Sequence, residues 1–531
     1  MRAVFGRSIL LAVVLHVIVA GAVAPARAHA TSSRPTEAQE ATPRPVSPSL
    51  PPTVLPTSRP TSPDALPDLL PAQRYLAGDM HNHTLLSSDA MHTQSEITAM
   101  AFSTYGLDWL CTGDHGGKSR RKSTGAPIIP STWMWRTLPV DAYAAVLAQR
   151  VAFPGQSILQ GFEWNVPTHD HATVGIVADE PSAIATFEYM FDAQDKADTM
   201  PLWEKRNKTR TDAISAARWL AERYSKSSYL IVVHPSRKQL FTARDLRDLN
   251  NAAPSVAFGF EGLLGRQKMS SRGSYKYNFS PTSKYARTYG GADYFTAKVG
   301  GVWDSLLGEG RKFFTFVDSD FHDPSSDFWP GEYAKTYVWA DTTQGTDGIV
   351  AGMRSGNSYS VTGGIIDQLT FTAGTRHRSA TMGQRLIARR GDDVTITVTF
   401  RVPATRNHTT PPQVDHIDLI HGRTHAKYRP GTRAYRSTTN PTAKIIRKTR
   451  PTAPWMGTEP DGSTYRVKYT LPKVRNSGYI RLRGTNLGLR VPGQTDRHGN
   501  PLMDKKSRNT AAKAWADCWF YSNPIYIKVV R

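Results

Sequence analysis

The chain has 531 residues, 39% of them hydrophobic and 10% aromatic, and a formal net charge of +22. Such a composition excludes a disordered or collagen-like polymer and suffices for a large core, for which two domains are expected. The two cysteines, Cys111 and Cys518, stand far apart in the sequence; that excludes a disulfide framework, and Cys111 inside an apolar run reads as a small core residue.

At the N-terminus, Arg2 and Arg7 precede an apolar run from Ile9 to Val23 and then Ala26-Arg-Ala-His-Ala. Residues 1–30 thus read as a secretory signal with small residues at the cleavage position. A membrane anchor is the competing reading, but the run falls short of the roughly 20 residues a span needs and is interrupted by His16. The expectation is a secreted or extracytoplasmic protein, with cell-surface association open and no transmembrane anchor after processing. Residues 31–72 are dense in Pro, Ser and Thr without periodic apolar pattern. They bury too little surface to offset chain entropy and read as an extended linker.

From Tyr75 to Gly364 short apolar runs alternate with amphipathic stretches. Helical spacing marks residues 98–105 and 211–224. Buried strands are expected over 107–112, 157–164, 172–177, 229–233, 256–260 and 313–317. Alternation of strand and helix implies parallel pairing and an active site at the strands' carboxyl ends. The chemistry-bearing residues collect at those ends: His81 and His83 with Asp89, Asp114-His115, Glu163, His169 and His171, His234-Pro235, Glu261, and Asp318-Ser-Asp320-Phe-His322. Side chains alternate across a strand, so His81 and His83 share a face and are able to hold one ion together. For one such residue a satisfied core histidine or a helix-cap aspartate is the simpler explanation. Six in sequence order favour a divalent-metal centre.

This series resembles the PHP superfamily, named for polymerase and histidinol phosphatase domains, over about 290 of the 531 residues. The matching motifs are His81-x-His83 with Asp89, Thr112-Gly-Asp-His115, Glu163, His234-Pro235 and Ser319-Asp320-Phe-His322. Ala90 stands where the family often has Gly, and Gly113 lengthens its Thr-Asp-His motif. The resemblance implies an α/β fold, a distorted (β/α)7 barrel over 73–364 related to the (β/α)8 barrel, with two or three divalent ions. It implies one ion on His81, His83, Glu163 and Asp320. A second would be bridged by Glu163 and completed by His234 and by His169 or His171, of which His171 fits the family context better. A third would rest on Asp89, His115 and His322. The role of Glu261 stays open, while Asp114 and Asp318 are expected to orient ligand imidazoles. Imidazole mixed with carboxylate suits Zn, Mn or Fe without separating them. Trp303-Asp-Ser-Leu-Leu and the segment from Met353 to Gly364 resemble the secreted branch that includes carbamate hydrolase-like proteins.

Closely spaced ions lower the pKa of a shared water from about 16 toward 7, so hydrolysis needs no protein nucleophile. Ser87, Ser88 and Ser319 then read as strand-end or turn residues. The expected activity is a metal-dependent hydrolase, first of all a phosphoesterase acting on an anionic small molecule or polymer. Carbamate, ester or amide hydrolysis at the same ions is a second reading, and a non-catalytic, metal-stabilised polyanion-binding surface protein a third. For a phosphate, Arg237 with Lys238, Arg266 with Lys268, and Lys118 qualify by position, each with a solvated surface charge as its alternative. Arg237 leads because a planar guanidinium grips phosphate in bidentate fashion.

From Arg401 to Arg531 there are 25 Lys or Arg against 7 Asp or Glu, so +18 of the net +22 belongs to this segment. A second domain is expected over 365–531, and its alternating apolar and polar residues between Gly, Pro and Asn read as a β-sandwich. Basic residues near Trp455, Tyr465, Trp515 and Trp519 fit nucleic acid or an anionic wall polymer. Outward Lys and Arg that merely keep sheet edges soluble are the competing reading.

Overall fold

Runs of β-branched and aromatic residues punctuated by Gly, Pro, Asn and Asp build most of this chain into strands. The computed structural model describes residues 72–177, 180–197, 203–275, 287–451, 458–459, 462–508 and 510–531. The signal-like segment, the Pro/Ser/Thr-rich segment up to residue 71, and Trp455 lie outside the described residues. No helix among the described residues is long and apolar enough to cross a membrane.

Up to residue 364 the strands are β1 (Gln73–Asp79), β2 (Trp109–Cys111), β3 (Lys118–Arg121), β4 (Pro127–Trp133), β5 (Ser157–Leu159), β6 (Gly161–Asn165), β7 (His171–Ile176), β8 (Ser228–Val232), β9 (Gly259–Leu263), β10 (Thr288–Tyr289), β11 (Ala292–Asp293), β12 (Phe314–Val317), β13 (Ala334–Asp341) and β14 (Ser358–Thr362). Parallel pairs join β1 to β2, β2 to β5, β8 to β9 and β9 to β12. Wholly parallel pairing is not observed, however: β7 runs antiparallel to both β6 and β8, and β13 antiparallel to β1. The reason is length, since residues 166–170 alone separate β6 from β7, and a parallel crossover needs about a dozen residues or more.

The strand expected over 157–164 is two strands in different sheets. A Cβ at Gly161 would lie 2.8 Å from the Val174 carbonyl oxygen and 2.9 Å from that of Thr112, so the glycine is what lets β6 leave β5 and pair with β7. The strand expected over 256–260 is displaced to β9, which places Glu261 inside a strand. Single bridges tie Asn82 to Phe321 and His115 to Glu163, fastening the ends of β1 to β12 and of β2 to β6. Beneath them Met80, Trp109, Leu159, Tyr229, Phe314 and Phe316 share one buried apolar cluster with Cys111.

The later strands are β15 (Gln368–Gly374), β16 (Ser379–Thr381), β17 (Arg385–Arg389), β18 (Val394–Pro403), β19 (His416–Arg423), β20 (Lys444–Thr449), β21 (Thr458–Glu459), β22 (Gly462–Leu471), β23 (Gly478–Thr485), β24 (Trp519–Ser522) and β25 (Ile525–Val530). A five-stranded sheet holds β16, β15, β18, β22 and β21 in that order. Its inward residues Leu369, Phe371, Ile396, Val398 and Phe400 share an apolar cluster with Ile417, Leu419 and Leu482 of β19 and β23. Those two strands belong to an 11-stranded sheet that also contains β1, β2, β5, β13 and β14, joined where β14 pairs antiparallel with β24. The change near residue 365 is therefore one of strand pattern, and the sheet runs through it.

Buried ion pairs reinforce that seam. Asp304, in the helix Val302–Gly308, accepts from Arg481 Nε and Nη2 at 2.9 and 2.8 Å and from the Tyr479 hydroxyl at 2.8 Å. Arg272 Nη1 donates across it to Asp517 at 2.7 Å, while within the later segment Arg483 Nε donates to Asp418 at 3.0 Å. Some of the C-terminal positive charge is thus neutralised in the interior.

Candidate metal centre

The strands β1, β2 and β8 end, and the antiparallel β7 begins, beside Glu163, and the residues after β12 join them through Asp320. Because β7 is reversed, its first residue His171 lies at the same end as the residues that follow β1, β2, β8 and β12. Two of those residues have positive φ without being glycine, His234 at 32° and Asp320 at 44°. Such backbone is unfavourable and persists where the surroundings impose it.

The first cluster is the one nearest to a closed ligand set. His81 Nε2 lies 3.1 Å from His83 Nε2, 3.4 Å from Glu163 Oε1 and 3.6 Å from Asp320 Oδ1, and His83 Nε2 lies 3.2 Å from Asp320 Oδ1. Donors about 2.0–2.2 Å from a tetrahedral ion stand roughly 3.3–3.6 Å apart, so His81, His83 and Asp320 are grouped as one ion's donors would be, with Glu163 beside them. Around the other oxygen edges, Glu163 Oε1 is 2.7 Å from His171 Nδ1 and 3.0 Å from His234 Nε2. Asp89 Oδ2 is 3.4 Å from His115 Nε2 and 3.5 Å from His322 Nε2. His115 also turns Nδ1 to Glu163 Oε2 at 2.6 Å. Glu163 is thus the hub shared by His81, His83, His115, His171 and His234.

Hydrogen bonds fix which nitrogen of His83 carries its proton. The Ser87 hydroxyl donates to Asp114 Oδ1 at 2.8 Å, so at 3.1 Å from His83 Nδ1 it is an acceptor, and Nδ1 is protonated. Nε2 then turns its lone pair toward His81 and Asp320, as a metal ligand must. Asp114 in turn accepts from Thr84 N at 2.7 Å and Thr84 Oγ1 at 2.8 Å, so it orients His83 through Ser87. His322 Nδ1 faces its neighbour's carbonyl, Asp320 O, at 2.9 Å, which leaves Nε2 for Asp89.

The charges are those of a cation site. Burial would raise Glu163, but the imidazoles of His171, His115 and His81 outweigh it and hold the carboxyl well below its ordinary value. Asp320 is likewise held well below by His81, His83 and His322 against burial. Burial, with His322 and His115 close by, pushes His83 well below the usual imidazole value, and burial lowers His171 as well. His234 moves the other way, to about 9, because Asp170 and Glu163 outweigh burial and Arg237. Against burial, the carboxylates Asp320 and Glu163 likewise raise His81, and Glu163 and Asp89 raise His115 well above the usual imidazole value; a divalent ion bound among these ionised carboxylates would replace the protons they hold on the imidazoles. Behind His81 lies a second layer: Asp318 Oδ1 is 3.8 Å from His81 Nδ1, and burial with Glu261 and Asp79 raises Asp318 well above a normal carboxyl. Glu261 itself accepts from His234 N at 2.6 Å and Gly265 N at 2.8 Å.

His169 is turned away: its ring stacks on Phe241 at 4.8 Å and its Nε2 faces Asp245 at 3.0 Å. Arg237 stands at the centre, Nη2 3.4 Å from His171 Nδ1, but gives its fork to Asp170 through Nε at 3.1 Å and Nη2 at 3.0 Å. Arg266 Nε faces Asp327 at 3.4 Å. Lys118 is exposed on β3, its ammonium 5.4 Å from the Trp133 ring centre. The residue that sequence reasoning missed is Asp170. It is buried, faces His234 Nδ1 at 3.4 Å and His171 Nε2 at 3.7 Å, and takes Lys238 Nζ at 2.8 Å. Its signal is the run His169-Asp170-His171, in which the acid lies between two imidazoles.

No family model matches the chain, and no curated protein matches it. Among solved structures it is similar to a two-domain protein of Bacteroides vulgatus ATCC 8482 that contains a predicted PHP-like metal-dependent phosphoesterase, at 11% identity and a TM-score of 0.34, over 84% of this chain and 99% of that one. The described residues make a mixed α/β unit whose histidines and carboxylates gather into clusters suited to divalent metal ions.

Proposed function

We propose that this chain is an exported metal-dependent hydrolase of the PHP kind, acting on phosphoesters. The observation that carries the reading is the convergence of three donor clusters on Glu163: His81, His83 and Asp320; His171 and His234; and His115 with Asp89 and His322. The sequence β1, β2, the bent run of β5 and β6 counted as one position, β7, β8, β9 and β12, fastened by the Asn82 and Phe321 bridge, supports a distorted ring of seven positions. A β-sandwich over 365–531 is supported by the shared apolar cluster of its two sheets. Export rests on the N-terminal charge pattern.

Divalent ions bound there supply Lewis acidity that activates water and neutralises charge on an anionic substrate; Zn, Mn and Fe all suit the donors. The chain's own part is to hold His83 in its ligand tautomer through Ser87, to set Asp170 beside His234 Nδ1 at 3.4 Å, and to keep Glu163 and Asp320 ionised. Arg237 and Lys238 bring two positive charges against the single one of Asp170. That excess beside the cluster favours a phosphate over a neutral ester or carbamate.

Protein prepared without chelators and loaded with Mn or Zn should hydrolyse p-nitrophenyl phosphate or its bis ester faster than naphthyl esters, and His81→Ala should abolish turnover. Naphthyl ester turnover alone would replace the phosphoesterase with a carboxylic ester hydrolase. Bound metal with no turnover would leave a metal-stabilised binding protein.

A further inference from the structure

Two clefts adjoin on the five-stranded sheet, at the opposite end of β1 from the histidines; Tyr75 and His81 are six residues, about 20 Å of strand, apart. The first cleft has a volume of about 560 Å³. Trp339 forms part of its wall, 37% exposed and edge-on to Tyr75 at 5.0 Å. The Tyr75 hydroxyl donates to Asn357 Oδ1 at 2.7 Å, which leaves the Asn357 amide nitrogen for the cleft. Thr370, Thr372 and Gln384 complete a neutral polar lining. Asp341, the charged residue there, already accepts from Thr343 and Gln344.

The second cleft, of about 900 Å³, shares Thr372 with the first and is bounded by the turn between β15 and β16. Arg376, Arg378 and Arg389 line it and are exposed, with no carboxylate partner among the described residues. Its acids are engaged by backbone: Asp392 accepts from Arg389 N at 2.7 Å and Asp393 from Lys473 N at 2.8 Å. One half therefore offers an indole ring, amides and hydroxyls, and the adjoining half three free guanidinium groups.

We propose that the joined clefts bind an anionic polysaccharide. A sugar ring presents an apolar C–H face to an indole and its hydroxyls to amide and threonine groups, which is the chemistry of the first cleft. Its carboxylate or sulfate groups meet bidentate guanidinium donors in the second. A single exposed aromatic bordered by neutral hydrogen-bonding groups suits a saturated ring better than a run of stacked bases, which needs successive aromatic platforms.

The test uses the full chain and calorimetric titration with polygalacturonate, chondroitin sulfate, neutral dextran, polyphosphate and oligothymidylate. At least one of the two anionic glycans should bind, weakening as salt is raised. Trp339→Ala and the double variant Arg376→Ala/Arg378→Ala should each weaken it about tenfold, with unchanged thermal midpoint and metal content. Dextran and polyphosphate, each lacking one half of the chemistry, should bind about tenfold or more weakly. Failure of both glycans to bind, wild-type affinity in Trp339→Ala, or oligothymidylate binding as tightly as the glycan would overturn the proposal. None of these outcomes depends on hydrolysis at the histidine cluster, so the two readings fail separately.

Discussion

Asp304 and Glu163 are both buried carboxylates, and the groups that face them differ. Asp304 meets the fork of Arg481 across the seam, Arg272 meets Asp517 across it as well, and elsewhere in the interior Arg483 and Arg247 pair with Asp418 and Glu309. Glu163 meets five imidazoles, those of His81, His83, His115, His171 and His234. A guanidinium carries a permanent charge and several donors, so it closes a pair within the chain. An imidazole supplies a lone pair and takes or gives a proton near neutrality, so the carboxylates it surrounds are left to an exchangeable cation. The seam is therefore built for permanence and the centre for a bound ion.

The largest effect that would sharpen this contrast is expected for Glu163→Gln, which removes the hub. Turnover should fall by about 10³-fold or more and bound metal, measured by elemental analysis, should drop with it. Full metal content in that variant would erase the distinction. Asp304→Ala should do the reverse, leaving Arg481 buried and unpaired at a cost of about 3–5 kcal/mol, read by urea unfolding, with the metal stoichiometry of the folded protein unchanged. Loss of metal in this variant would show the two regions to be coupled.

Metal loading adds a comparable increment. An ion that binds the folded state alone stabilises it by about 4 kcal/mol at a thousandfold excess over its dissociation constant, and chelation should remove that gain from the wild type and from Asp304→Ala alike. Asp192 offers a smaller test, a buried carboxylate faced by neither group. It accepts from Asn165 N at 2.9 Å and Gln194 N at 2.8 Å, and burial pushes it from 3.8 to about 7. Its proton stays on the native state after the unfolded chain has released its own, so this contribution is complete below pH 3.8 and lost as pH rises through about 7. Asp192→Asn should reduce the pH dependence of the unfolding free energy, read by urea unfolding, between those limits by a slope on the order of 1.4 kcal/mol per pH unit; an unaltered slope would assign it to another group.

Much of this arrangement is local and could be read from the chain. Most strands fall within a few residues of the apolar runs, because alternation and turn chemistry are properties of neighbours in sequence. The residues that now gather at the centre, His81, His83, His115, Glu163, His171, His234, Asp320 and His322, are those the strand-end pattern picked out. The same pattern left His169 and His171 unresolved, and they differ in fact by direction: His169 turns to Phe241 and His171 to Glu163.

What the sequence by itself determined is the supply of imidazole and carboxylate at strand ends, since a side chain's place along a strand is set by its own neighbours. What only the tertiary structure decided is who faces whom. The reversal of β7 that brings His171 round, the Asp114 and Ser87 relay that fixes the His83 tautomer, the two-sided hold of Asp170, and the pairing of Arg481 with Asp304 across 177 residues all depend on which strands become neighbours in space. A ladder's register and partner are long-range choices made by packing, and no local pattern encodes them.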